Sequence, residues 1–260
     1  MTVRTQEALA AAQFGAQAGA YLSSAVHAQG ADLTALAALA QGEARARVLD
    51  LGCGGGHVAY AVAPHVAEVV ACDLSADMLA VVAAAARQRG LANLHTQQAP
   101  AERLPFADAS FDIVLTRFSA HHWRDFEAGL REAARVLRPG GQAGFVDAVS
   151  PGPAALDTFL QAIELLRDAS HVRNRSRAEW EAALARAGFA TGTVTAFRLP
   201  LDFSDWVARM RTPPALIAAI RAVQAAVADP VRRHFAVGPD GSFVLDVALF
   251  AATRFEKGDT

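Results

Sequence analysis

An acid, a set of glycines and a histidine stand together at Asp50-Leu51-Gly52-Cys53-Gly54-Gly55-Gly56-His57. Glycines at a strand-to-helix turn let the backbone bend tightly and approach a ligand with no Cβ in the way. The helix that follows offers free N–H groups. Nineteen residues past Gly54, where the next apolar run ends, lies Asp73. A carboxylate there can accept two hydrogen bonds from a ribose 2′,3′-diol, in the crevice where doubly wound sheets hold nucleotides. A glycine turn alone serves structure as readily as binding. Strand, glycine loop, helix, strand and terminal acid in register point further, to a nucleotide-type ligand. A dinucleotide fingerprint asks for a third small residue at its sixth position, for close helix–strand packing. Counted from Gly52, that position is His57.

These groups must be carried by regular elements, and the chain supplies them in alternation. Val48 to Leu51, Glu68 to Cys72, Asn93 to Gln97, Phe111 to Thr116 and Gln142 to Asp147 read as five short strands. Between them run helical patterns: His57 to Ala63, closed by Pro64; Ser75 to Gly90, capped by Ser75 and stopped by Gly90; and Asp125 to Leu137, ended by Arg138-Pro139-Gly140-Gly141. Such alternation predicts an α/β fold whose parallel sheet is covered on both faces. Beyond Asp147 the rhythm changes. Helices are expected over 154–169, 176–187, 202–210 and 213–228, and strands over 191–199 and 243–255. The Gly238-Pro239-Asp240-Gly241 turn predicts that the last strand arrives through a hairpin rather than a helical crossover, and so runs antiparallel. The organisation expected is an N-terminal helical cap over 1–43, a ligand-binding core over 44–150, and the rest of the same domain over 151–260. Helical insertions at 151–175 and 201–237 are lid candidates.

Composition removes other function classes. The 260 residues are 53% hydrophobic and 19% charged with net charge −2, so no basic excess exists to neutralise a nucleic-acid backbone. The one lysine is Lys257, which argues against Schiff-base chemistry and a P-loop. Cys53 and Cys72 show no metal-ligand spacing, so no metal site is expected and a reducing compartment suits them. Without a signal-peptide pattern or an eighteen-residue apolar run, a soluble cytoplasmic protein is expected.

The run from Val48 to His57 resembles the D-x-G-x-G-x-G motif of class I S-adenosylmethionine-dependent methyltransferases. Ala101-Glu102-Arg103-Leu104-Pro105-Phe106, Ser110-Phe111-Asp112-Ile113-Val114 and Leu130 through Gly141 resemble the family's segments around its third, fourth and fifth strands, in order. Within the family the chain is similar to the ubiquinone/menaquinone-biosynthesis branch and a neighbouring group in which Arg-x-x-x-His-His follows the fourth strand, here Arg117 to His122. The resemblance implies a three-layer, doubly wound, seven-stranded and mostly parallel sheet with an antiparallel last strand. It implies S-adenosyl-L-methionine as cofactor. Gly52, Gly54 and Gly56 would cradle its methionine end, Asp50 would hold the amino group, and Asp73 the ribose. Leu74 and Met78 would pack on adenine, with core filling as the alternative for Met78. Ala101 would offer its N–H to adenine, with Glu102 beside it. Many relatives carry Asp where this chain has Pro100, which predicts looser adenine selection.

Methyl transfer is an in-line displacement at a sulfonium carbon, so alignment and desolvation can supply most of the acceleration. A base is needed only for a protonated acceptor. His121 and His122 lie where such a base would act, with a structural role as the alternative for either. Arg117 could hold a cofactor or substrate carboxylate, or form a surface ion pair. His171 and Arg173 are weaker candidates for substrate contacts. Tyr21 and Phe14 could close over the sulfonium or simply pack. No Asn-Pro-Pro-aromatic run follows the fourth strand, and no cysteine stands near it, which sets aside two nucleic-acid chemistries. The expectation is a metal-independent enzyme acting on a small molecule. The rivals are a nicotinamide-dependent oxidoreductase and a non-catalytic module that binds S-adenosylmethionine. Neither the acceptor nor the oligomeric state is readable.

Overall fold

The structure is a computed structural model, and it describes residues 5–15 and 30–256. Its centre is a seven-stranded sheet: β1 (Arg47–Leu51), β2 (Glu68–Asp73), β3 (Leu94–Gln98), β4 (Phe111–Arg117), β5 (Leu137–Ala148), β6 (Phe189–Leu201) and β7 (Phe243–Arg254), in the order β3-β2-β1-β4-β5-β7-β6. The first five strands are parallel, and β7 runs antiparallel to both β5 and β6. β1 is buried on both faces because helices cover each side, and its side chains alternate between two cores. Val48 joins Val69 and Leu115 on one face; Leu49 joins Phe145, Trp180 and Phe250 on the other.

The helices are α1 (Gln6–Gly15), α2 (Ala31–Ala38), α3 (His57–Val62), α4 (Ala76–Gln88), α5 (Phe126–Val136), α6 (Ala154–Arg167), α7 (Arg177–Ala187), α8 (Phe203–Arg209), α9 (Pro214–Ala226) and α10 (Asp229–His234). Several ends form as their residues dictate. Ser75 Oγ accepts from Met78 N, Asp125 accepts from Ala128 N at 2.9 Å, and Ser176 and Glu179 close a capping box on α7. Helices α6, α8, α9 and α10 enclose a third core around Phe159, Trp206, Phe235 and Phe243.

Two expectations need correction. The last strand is antiparallel, but the connection from β6 to β7 is no hairpin, since residues 202–242 carry three helices, including the unforeseen α10. The 238–241 turn does close, with Gly241 N donating to Gly238 O at 3.0 Å, but it only redirects the chain out of α10. The fifth strand also begins earlier than expected, at Leu137 opposite Phe111. The Arg138-Pro139-Gly140-Gly141 segment is an irregularity inside it, and pairing resumes at Gln142 opposite Ile113.

Candidate active site

At the carboxyl edge of the parallel strands, a cavity of about 200 Å³ runs from the glycine loop to the chain between α6 and α7. Its near wall is the loop itself. Gly52 sits at φ +70°, and a Cβ there would overlap Ser119 Oγ and stand 2.6 Å from Ser119 Cβ, so only glycine fits. Gly54 lines the cavity with open space around it. Gly56 does not line it; at φ +80° Gly56 caps α3, and a Cβ would meet the Tyr60 ring at 2.8 Å.

The two acids of the loop are held by backbone donors. Asp50, 1% exposed, accepts from Ala59 N at 2.9 Å through Oδ2, while its Oδ1 is buried with no hydrogen-bond partner. Burial, reinforced by the nearby Asp73 charge and opposed by the Ala59 N–H, pushes the Asp50 carboxyl up to about 7. An orphaned carboxylate oxygen beside a cavity suits an ammonium group, as the methionine end of the cofactor carries. Asp73 accepts from Gly54 N at 2.9 Å and from Ser75 N at 2.8 Å, one bond per oxygen, so each oxygen keeps a lone pair for a diol. Its carboxyl is raised by burial, against the pull of those N–H groups. The donor set therefore fits an adenosyl sulfonium compound.

Leu74, Pro100, Ala101 and Glu102 line the same end, and Glu102 also accepts from Asp125 N at 3.2 Å. Met78 is fully buried and does not line the cavity; its place is the core. Arg117 reaches the cavity from the end of β4, but its ion pair is buried, not superficial: Nε donates to Asp32 Oδ2 of α2 at 2.6 Å. Both thiols are raised chiefly by burial, Cys72 to about 12, so neither is poised as a nucleophile. Helix α1 lines the cavity through Gln6, Glu7, Ala10 and Ala11, with Gln6 donating to Ser170 O at 2.5 Å and Gln13 to Met210 O at 2.9 Å. Phe14 falls on α1, and its side chain, like all of Tyr21, lies outside the described residues.

Another part of the lining is polar and largely buried. His121 and His122 occupy a single 3-10 turn after β4, with ring centroids 4.2 Å apart. His121 Nδ1 lies 2.5 Å from Asp147 Oδ1, and its backbone N donates to Oδ2 of the same carboxylate at 3.1 Å. Burial opposes the imidazolium charge, yet the Asp147 charge and hydrogen bond outweigh it, so His121 is held above its ordinary value. His122 differs: burial first, and then His121, push it down to about 4, with Nδ1 3.1 Å from Ser170 O. Of the lid candidates, His171 is buried beside this pair but bonds Gln161 Oε1 at 3.0 Å and does not line the cavity, and Arg173 turns outward to Asp157 and Glu179. Asp147, Glu164, Asp168 and Asn174 line or support this part and were not singled out from the sequence. For Asp147 a signal existed: an acid closing an apolar strand at the same edge as Asp50. Among the described residues no group of three or more His, Cys, Asp or Glu is placed to hold a metal ion. None of their helices is long and apolar enough to cross a membrane.

Comparison with known proteins agrees with this geometry. A family model described as a methyltransferase domain matches residues 49–145. The chain is 48% identical over 199 residues to YafE of Escherichia coli K12, covering 76% of this chain and 96% of that one. To YcgJ of Bacillus subtilis 168, named a methyltransferase, it is 38% identical over 200 residues, covering 77% and 79%. The crystal structure of YcgJ matches with a TM-score of 0.83 at 35% identity, over 86% of this chain and 98% of that one. The demethylmenaquinone methyltransferase of Chlorobaculum parvum is 36% identical over 112 residues, 43% of this chain and 44% of that one. With the glycine loop, an acid at the end of β2 and the 3-2-1-4-5-7-6 sheet in place, the chain belongs to the class I S-adenosylmethionine-dependent methyltransferases.

Proposed function

We propose that the protein moves the methyl group of S-adenosylmethionine to a small-molecule acceptor bearing a removable proton, with His121 as the base. The observation that carries this reading is the 2.5 Å His121–Asp147 pair on the cavity that the glycine loop and Asp73 also line. When bound, the cofactor supplies an electrophilic methyl on a sulfonium. The chain supplies the rest. Asp50 receives the ammonium, Asp73 the ribose diol, and Gly52 and Gly54 the close backbone approach. Leu74 packs on adenine, and Ala101 with Glu102 flanks it. Asp147 fixes the tautomer of His121 by taking its Nδ1–H, which leaves Nε2 for the proton of the acceptor. His122, kept neutral, packs beside it and orders the turn. Arg117 joins this wall through its pair with Asp32 and positions α2.

Chain segment 44–150 forms the cofactor half in this reading, 1–43 the cap, and 151–175 with 201–237 the roof over the acceptor. Two free, buried thiols support a cytoplasmic setting. The test is transfer from a labelled methyl donor to libraries of phenols, quinols and amines. His121→Ala should slow turnover about 10²–10⁴-fold with the cofactor Kd unchanged. A wild-type rate in that variant removes the base, and tight cofactor binding with no transfer to any compound favours the sensor reading.

A further inference from the structure

The acids beside this cavity have partners: Asp147 with His121 at 2.5 Å, Glu164 with Arg167 at 3.7 Å, and Asp168, through Oδ1, with Ser170 N at 2.8 Å and Ser170 Oγ at 2.7 Å. Asn174 does not. It lines the cavity, is 1% exposed, and neither its Oδ1 nor its Nδ2 has a hydrogen-bond partner. Its backbone is fixed on both sides, since its N donates to Gln161 Oε1 at 3.1 Å and its O accepts from Gln161 Nε2 at 2.7 Å. A buried side-chain amide with two orphaned atoms costs stability and calls for a partner that both donates and accepts. The same cavity is also lined by the apolar Leu199, Leu201, Trp206, Met210 and Leu245.

We infer that Asn174 is the specificity-determining residue for the acceptor, and that it reads a neutral donor–acceptor pair on an otherwise apolar molecule. A carboxamide, or a hydroxyl beside a carbonyl, presents such a pair; a carboxylate offers no donor and an ammonium no acceptor. Glu164 and Asp168 line the same cavity, so a carboxylate head would also enter against like charge, which burial penalises. This assignment rests on the methyltransferase reading, because it places the acceptor in the same cavity as the cofactor.

The experiment uses the full chain loaded with S-adenosylhomocysteine and a matched fragment set: benzamide, salicylamide, benzoate and benzylamine. Affinities are measured for wild type, Asn174→Leu and Asn174→Asp. Wild type should bind benzamide and salicylamide at least tenfold more tightly than benzoate or benzylamine. Asn174→Leu should abolish that preference, and the isosteric Asn174→Asp should shift it toward benzylamine, because an acceptor replaces a donor. Affinity for S-adenosylhomocysteine should not change in Asn174→Asp, while the melting temperature should fall, because the new carboxylate is buried near Glu164 and Asp168. A wild-type preference for either ion, no fragment binding, or an amide preference that survives both substitutions overturns the inference. Loss of S-adenosylhomocysteine binding by wild type would instead overturn the methyltransferase reading on which it rests.

Discussion

In the proposed reading Asp73 has two duties, which one substitution series can separate. Its oxygens clamp the glycine loop to the end of β2 through Gly54 N at 2.9 Å and Ser75 N at 2.8 Å, and the residue lines the cavity. Hydrogen bonds to a charged group are worth about 1.5–3 kcal/mol, so losing the diol contact in Asp73→Ala should weaken cofactor binding about tenfold to 150-fold. Losing the clamp should separately cost stability, roughly 1–2 kcal/mol, because two N–H groups near solvent turn to water. Asp73→Asn keeps one acceptor oxygen and should fall between Ala and wild type on both axes. Titration calorimetry with S-adenosylhomocysteine reads the first effect and urea unfolding the second. If Asp73→Ala lost stability but bound within twofold of wild type, the carboxylate would be a loop clamp alone and the ribose assignment would fail.

The Asp147→Asn variant should move the ascending limb of the pH–rate profile to lower pH and reduce the plateau rate, because the charge that raises His121 is gone and the base is weaker. In wild type that limb should lie above pH 6.5, the ordinary histidine value. The same shift is a stability term: a raised histidine contributes fully below pH 6.5 and loses its contribution as pH climbs through the folded value. The melting-temperature gap between wild type and Asp147→Asn should therefore narrow with rising pH, and a constant gap with an unmoved limb would refute the pairing. Gly52→Ala should destabilise by about 2–5 kcal/mol, combining left-handed strain with overlap on Ser119. Ser119→Gly in the same chain should restore part of that loss, and unfolding curves that showed no recovery would deny the contact.

The glycine loop and the acid that ends β2 were legible in the sequence because their signals are local. Glycines that must turn, an acid that must end a strand and a serine that must cap a helix all leave their mark within a few residues. The acceptor half is assembled from afar. Asp147 meets His121 across 26 positions, and Ser170 meets His122 across 48, so no short spacing betrays them. Met78 and Gly56 fit their motif and yet face the core, since helical spacing and a glycine series cannot tell one side of an element from the other. The hairpin reading failed for a related reason. A tight turn marks where a chain bends, while antiparallel pairing of β6 and β7 requires only that their ends meet, however long the excursion between them.

Asp147 stands in β5, paired with Ala248 of β7 and one position past Val146, which pairs with Arg117 of β4. The histidine that it governs rides on a single 3-10 turn. The carboxylate is thus held in a strand paired on both sides, while the imidazole that it bonds lies just beyond the end of β4. Because the raised proton affinity of the imidazole depends on a 2.5 Å contact between these two supports, any displacement of the turn relative to the sheet would lower it.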